Sequence, residues 1–570
     1  MRLRDFKRYP SVSLPVILAC LLTASPAVSA SGDLALINGD VKTPKGWSQA
    51  VGISNGKIIA VGTSADVQKA LGKDAKVIDL MGKTVVPGMH DMHAHPMMAG
   101  ILLSSCTFEQ GSDLAAMKKA ISDCAKKKKP GEWISGGQWQ AGSLKDSELN
   151  KETLDAIAPD NPVSLVDISG HSLWVNSRAL ALAGITKDTK NPEGGIIERD
   201  AKGEATGILR ESARDVLRKV LPKAGLAENT AALKTALDIM TSFGITTVVD
   251  AMVTPESLAA YVHLAETTGI EPRVRGCYVW RDNNPDFERD VANRTSFTRV
   301  NFKLDCVKVF MDGVPTDSHT GAMLEPYDHY ENMDPKKPAR GLLLAQADEL
   351  NPLVTRLDKA GVTVKFHAAG DWAVRSAFDA VEAARKANGL KGPLHDVGHL
   401  TFVSEQDIKR AKPLNATLEF SPYLWFPQPI TKDIIKVTGA KRNERAWPVA
   451  EGVKSGALVV AGSDWYVIPT PNPWIAVETL VTRKAPGGKG EAYGPKEAIT
   501  LDDAMIIFTS NGARQFGNAA ASGTIETGKI ADLAIIDRNP YKIPITDVHN
   551  IKNLYTIIDG KIIYDASQAK

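Results

Sequence analysis

The sequence predicts an α/β protein: a (β/α)8 TIM barrel carrying a small β-sandwich built from both termini and an inserted cap subdomain. Three observations predict it. Eight short apolar runs recur through the middle of the chain with helical patterns between them. The two ends share the texture of short hairpins, and the gap between the first two apolar runs is far too long for a single strand-to-helix connection.

The first 30 residues stand apart. Arg2, Arg4, Lys7 and Arg8 precede the apolar stretch SLPVILACLLTASPAV, and Val28-Ser29-Ala30 supplies small residues where a signal peptidase would cut. Residues 1–30 therefore read as a signal peptide, which places the mature protein in the periplasm or outside the cell. The segment is too short and wrongly flanked for a membrane span, and no later stretch is apolar enough, so no stable span is expected once the signal is cleaved. Cys20, after Ile-Leu-Ala, leaves a lipoprotein alternative. Lys and Arg number 68 against 66 Asp and Glu in 570 residues, a balance that points away from nucleic acid. A small-molecule substrate is the expected partner, with a homodimer as the candidate assembly.

Residues 31–87 contain LALINGDV, AVGISNGKIIAVG and KVIDLMGKTVVPG, short alternating strands with Asn-Gly and Gly-Lys turns. The same pattern returns within 516–570 in ADLAIIDRNP and LYTIIDGKIIYD, so both ends are expected to build one small β-domain. Residues 88–515 carry the barrel runs: TVVPGMHDMHAH, GITTVVDAM, RVRGCYVW, CVKVFMDG, VTVKFHAAG, DVGHL, NATLEFSPY and ALVVAGSDW. The sixth is the weakest. Residues 97–244 form the insertion, placed as a cap over the barrel mouth. Export permits disulfides. Cys106 and Cys124 flank a short amphipathic stretch and are expected to pair, stabilising the cap by roughly 3 kcal/mol through loop closure. Cys277 and Cys306 lie in apolar runs and read as buried thiols.

Barrel sites form at the carboxyl ends of the strands. In the first run His93 and His95 are two residues apart, so in an extended segment both imidazoles face one way. His367 ends the fifth run, His399 the sixth and Asp464 the eighth, with Lys308 in the fourth. Neutral imidazoles suit divalent transition metals, and a carboxylate balances charge and can hold a proton.

These residues resemble the amidohydrolase superfamily of metal-dependent hydrolases, and within it amidohydrolase family 3, or YtcJ-like proteins, which include N-substituted formamide deformylases. The resemblance runs from about residue 33 to 570. It is carried by PGMHDMHAHP, LDAIAPDNPVSLVDISGHSLWVNSRALALAGI, NPEGGIIERDAKGEATGILRESA, VKVFMDGVPTDSHTGAMLEPY, HAAGDWAVRSAFDAVEAAR, AGSDWYV and GTIETGKIADLAIID. It implies that His93, His95, His367, His399 and Asp464 ligate metal, one or two divalent ions per chain with zinc expected. Lys308, if converted to N6-carboxylysine, would bridge two ions. Burial near cations favours the neutral amine, which can add carbon dioxide to give a bidentate anion. The alternative is a lysine paired with Asp312 or Asp305.

By the same resemblance His171, in SGHSLWVN, is a catalytic candidate that faces the pocket. His319 either approaches substrate or sits in a surface loop, Asp371 caps or orients a helix, His90 packs behind the site, and Arg483 reads as a helix-surface charge, with holding a carboxylate as its alternative. Trp139, Trp372 and Trp465 are candidates for a bulky pocket wall. Relatives often read Arg-Ile-Glu-His where this chain has Asp396-Val397-Gly398-His399, so the histidine remains while its charged neighbours change.

The implied chemistry is hydrolysis of an amide or cyclic amide by metal-activated hydroxide, with Asp464 shuttling the proton from water to the leaving nitrogen. The same machinery would serve a lactonase or esterase. A non-catalytic exported binding or regulatory protein is the third alternative, and the full set of six donors argues against it.

Overall fold

The computed structural model describes residues 32–568 except 110, 141–143, 169, 171, 193–194, 223, 281–283, 317, 329–338 and 427. The expected signal peptide (residues 1–30) with Cys20, and His171, thus lie outside the described residues. At the centre eight strands form one parallel sheet in chain order: β1 (Met89–Ala94), β2 (Ile245–Val253), β3 (Arg273–Val279), β4 (Phe302–Phe310), β5 (Thr363–Ala368), β6 (His395–His399), β7 (Ala416–Phe420) and β8 (Leu458–Ala461). The weak sixth run does form a strand. Both of its flanks are occupied, by β5 and β7, so tertiary pairing supplies what its sequence lacks.

Local chemistry explains the alternation. β2 is rich in β-branched residues and almost wholly buried, as a strand covered on both faces must be. Thr254 then caps the helix Pro255–Thr267, accepting from Ser257 N, with Pro255 at the first helical position. The helix Ala347–Lys359 buries Leu350, Leu353, Val354 and Leu357, a stripe at three- and four-residue spacing that seats it on the barrel.

β1 and β8 do not share a regular ladder. The barrel closes instead through the chain just beyond β8: His93 O accepts from Asp464 N, and His95 N donates to Trp465 O, both at 2.7 Å. Ala94 and Trp465 form an isolated parallel bridge.

Two mixed sheets join the chain ends. A four-stranded sheet contains Leu34–Ile37, Ala50–Ser54, Lys57–Gly62 and Lys76–Asp79. In a six-stranded sheet, Thr84–Pro87 near the amino end pairs antiparallel with Leu533–Ile536 near the carboxyl end. Leu36, Val51 and Ile53 from the first sheet share one core with Val85, Leu533, Ile535 and Ile557 from the second.

Within residues 97–244 lies a separate six-stranded sheet, from Cys106–Thr107 through Ala205–Glu211 to Gly195–Arg199 at its edge. Its core includes Trp139 and Trp174, whose rings meet edge-on at 6.3 Å. It reaches the barrel mouth where Gln138 Nε2 donates to Tyr466 O at 2.5 Å.

Cys106 and Cys124 are joined, as expected. Cys277 and Cys306 are also joined, which corrects their reading as free thiols. They are direct register partners on the adjacent strands β3 and β4, with Cα atoms 4.2 Å apart, a relation that the separate apolar runs do not reveal. Peptide mapping without reductant is expected to recover Cys106 linked to Cys124 and Cys277 linked to Cys306. Recovery of either pair as alkylated thiols would contradict this pairing.

Candidate metal centre

The seam that closes the barrel builds the first part of the site. Ser463 N donates to Asp91 Oδ1 at 2.9 Å, and His93 N donates to the same oxygen at 3.2 Å. Gly462 must be a glycine here, because a Cβ at that position would lie 2.3–2.4 Å from His93 Cβ and N. Asp464 then adopts a left-handed backbone, φ +59°, which turns its carboxylate back over the strand ends. His399 at the end of β6 does the same at φ +72°. Such conformations cost non-glycine residues on the order of 1–3 kcal/mol each and concentrate at functional sites.

The predicted donors meet. Asp464 Oδ1 lies 3.1 Å from His95 Nε2 and 3.7 Å from His93 Nε2, and Asp464 Oδ2 lies 3.9 Å from His399 Nδ1. One donor atom from each of His93, His95 and Asp464 falls within a 4.8 Å cluster. The His399 ring stands 4.6 Å from that of His93 and 4.4 Å from that of His367. Lys308 Nζ approaches His93 Nε2 to 3.4 Å.

Burial sets the protonation of this cluster. It holds His93 and His399 well below the ordinary imidazole range, with the Lys308 and Lys365 charges adding to the effect for His93 and neighbouring His367 for His399. Both rings are therefore neutral ligands at neutral pH. Burial, reinforced by Lys365, brings Lys308 down to about 8, within reach of the free amine. The alternative partners of Lys308 are engaged elsewhere: Asp305 with Arg275 and Lys303, Asp312 with His367. Among the described residues, His95 Nδ1 and His399 Nε2 are buried with no hydrogen-bond partner. The orphaned His399 Nε2, together with His93 Nε2 and His95 Nε2 facing the Asp464 carboxylate, fits a divalent ion of the zinc type.

Behind the donors lies a layer of charge that the sequence reading missed. Glu419 Oε2 accepts from His93 Nδ1 at 2.6 Å, leaving His93 Nε2 to face Asp464 and Lys308. Lys365 Nζ donates to the same oxygen at 2.9 Å, to Asp396 Oδ2 at 2.7 Å and to Met92 O at 2.9 Å. Burial opposes the lysine's charge, but Asp396 and Glu419 more than offset it and raise its pKa. Gly398 gives Glu419 its room: a Cβ there would come within 2.5 Å of Glu419 Oε2. With glycine at 398, the carboxylate beside His93 comes from Glu419 on β7. His367 is held similarly, its Nδ1 3.1 Å from Asp312 Oδ1, while Asp312 accepts from Ala322, Ala369 and Gly370 N at 2.8–3.0 Å. A lone acid in an apolar strand, Glu419 in NATLEFSPY, was the available signal.

The remaining positions divide. His90 is buried behind β1, where a Cβ on Gly512 would strike it, and desolvation lowers its pKa to about 3. His319 is buried at φ +53°, its ring edge-on to Tyr327 at 4.8 Å, which corrects the surface-loop alternative. Asp371 opens the helix Asp371–Asn388, and its Oδ1 accepts from Leu324 N at 2.8 Å, tying the long loop after β4 to that helix. Arg483 is fully buried rather than a surface charge. It sits past the end of the helix Pro473–Thr482 at φ +56°, donates to Tyr493 O and Ala446 O, and lies over the Trp425 ring. Trp139 belongs to the core of the inserted sheet, not to a pocket wall. Trp465 is buried in the barrel seam.

A family model described as "Amidohydrolase family" matches residues 76–564. An N-substituted formamide deformylase from Arthrobacter pascens is 28% identical over 556 residues, covering 94% of this chain and 98% of that protein. YtcJ of Bacillus subtilis (strain 168) is 26% identical over 540 residues, covering 91% and 96%. Among solved structures, an uncharacterized metal-dependent hydrolase from Pyrococcus horikoshii OT3 superposes with a TM-score of 0.72 at 24% identity, covering 90% of this chain and 99% of that one, a likeness of fold.

The Glu419 contact generates a prediction. Glu419→Gln keeps the shape but removes the charge that orients His93 and balances Lys365, so zinc affinity measured by chelator competition is expected to fall about 10–100-fold. Unchanged affinity in a folded variant would show that the contact does not organise the site.

Proposed function

This chain belongs to the amidohydrolase family, and from that premise we propose that it is an exported, metal-dependent hydrolase of carbon–nitrogen bonds, acting on an amide or cyclic amide. The observation that carries the reading is the convergence of His93, His95 and Asp464, with His367, His399 and Lys308 around them. The Arthrobacter relative is by name a deformylase of N-substituted formamides, which supports a carbon–nitrogen bond as the target. The signal-like first 30 residues and the two cysteine pairs support a periplasmic or secreted location.

The four histidines and Asp464 would hold the ion, zinc by the softness of its imidazole donors, and Lys308 as N6-carboxylysine would hold a second. When bound, such an ion makes water nucleophilic near neutral pH and polarises a carbonyl. The chain's own residues supply the rest. Asp464 lies among His95, His93 and His399, where its carboxylate would accept the proton of the attacking water and return it to the departing nitrogen. Glu419 and Asp312 fix the ring orientations of His93 and His367. Water adds across the carbon–nitrogen bond, and a carboxylic acid and an amine leave.

Chelation is expected to abolish amide hydrolysis and stoichiometric zinc to restore it. Protein that binds no metal and ignores added zinc would end the proposal. Asp464→Asn retains an oxygen of nearly the same shape but cannot cycle a proton at neutral pH, so kcat is expected to fall by at least about 100-fold while the variant stays folded and largely metal-loaded. Near-normal turnover with metal in place would assign the proton transfer to another group.

A further inference from the structure

Strands β1, β4, β5, β6 and β8 carry the metal-site donors, whereas β2 and β3 carry none. Above the ends of those two strands lies a cavity of about 520 Å³, of ordinary small-ligand size. Its walls are Met97 and Met98 from the helix that starts directly after His95, Met252 from the end of β2, Val279 and Trp280 from the end of β3, and Phe310 from the end of β4. Ile101 and Leu344 extend the apolar lining and remain 40% and 46% exposed.

Phe310 is the wall that this cavity shares with the metal site. Its ring centroid lies 5.6 Å from that of His367 and 5.1 Å from Lys308 Nζ. A substrate whose scissile carbonyl sits at the donors therefore has an apolar recess beside it. The charged groups of the lining are already engaged. Arg218, the cation among the described lining residues, pairs with Asp215 at 2.9 Å, and Glu256 accepts from the Thr254 hydroxyl at 3.0 Å. A carboxylate placed here would lose its water without gaining a free counter-charge, because the Arg218 guanidinium already has Asp215.

We propose that this cavity receives an uncharged apolar substituent of the substrate, an alkyl chain or aromatic ring attached at the amide nitrogen or on the acyl carbon. The inference rests on the hydrolase reading above. Three methionines at one end let the recess adapt to different shapes, and Trp280 and Phe310 supply flat walls at the other. Selectivity then follows hydrophobic transfer, and short or carboxylate-bearing amides are poor substrates.

The test compares zinc-loaded enzyme on N-alkylformamides and on N-methylalkanamides, each with chains of two to eight carbons, together with carboxylate-terminated analogues. In one of the two series kcat/KM is expected to rise about three- to fourfold per methylene, and the responding series identifies which side of the amide enters the cavity. The charged analogues are expected to fall at least about tenfold below their neutral counterparts. Trp280→Ala should flatten the dependence on chain length. In a parallel measurement that needs no turnover, calorimetry with 1-alkanols from butanol to octanol should show Kd tightening by a similar factor per methylene. Turnover that ignores chain length in both series, or favours the charged analogues, would overturn this inference and leave the hydrolase reading intact. Absence of turnover on every amide would overturn the hydrolase reading, and alkanol affinities that do not follow chain length would overturn the cavity assignment independently.

Discussion

The architecture depends on how the barrel is closed. A regular ladder between β1 and β8 is replaced by two hydrogen bonds, from Asp464 to His93 and from His95 to Trp465, so the contacts that complete the barrel also bring three candidate ligands together. Everything local to the seam serves this. Gly462 leaves space for the His93 backbone, Asp91 ties Ser463 to His93, and the left-handed turn at Asp464 points its carboxylate inward. The strain of that turn is held by the barrel, because relaxing it would break the bonds that join the first strand to the last.

Beneath the seam the barrel interior solves a charge problem. Lys308 and Lys365 are both fully buried, and an unpaired ammonium in such a place would cost several kcal/mol. Lys365 is satisfied by Glu419, Asp396 and a backbone carbonyl. Among the described residues the polar contact of Lys308 Nζ is its 3.4 Å approach to His93 Nε2, and burial lowers its pKa toward the neutral form that could be carboxylated. Two lysines a strand apart thus take opposite paths: one is locked as a cation in a second layer of support, and the other is left poised at the donors. Below them the Cys277–Cys306 link joins β3 to β4, two residues before Lys308 on the same strand.

Much of this was legible because of periodicity. His93 and His95 announce a shared direction by their spacing, and His367, His399 and Asp464 announce a ring by ending successive apolar runs. Lys308 lies inside its run rather than at the end, and the family resemblance singled it out. Relations between strands were not. The Cys277–Cys306 link depends on the register of β3 against β4, and Glu419 depends on the absence of a side chain at Gly398 on the neighbouring strand. Arg483 was misread because a basic residue after a helical pattern resembles a surface cap; its burial follows from the turn at φ +56° and from packing against Trp425. His319 offered no periodic context at all, since it lies in the irregular chain between β4 and β5.

The claim that these six side chains form one metal centre is most directly tested by zinc-edge anomalous diffraction from crystals of protein loaded with stoichiometric zinc and bicarbonate. The account predicts one or two peaks within bonding distance of His93, His95, His367, His399 and Asp464, with density for a carboxylated Lys308 wherever two peaks are present. Zinc bound elsewhere, with these side chains left as an internally hydrogen-bonded cluster, would contradict it.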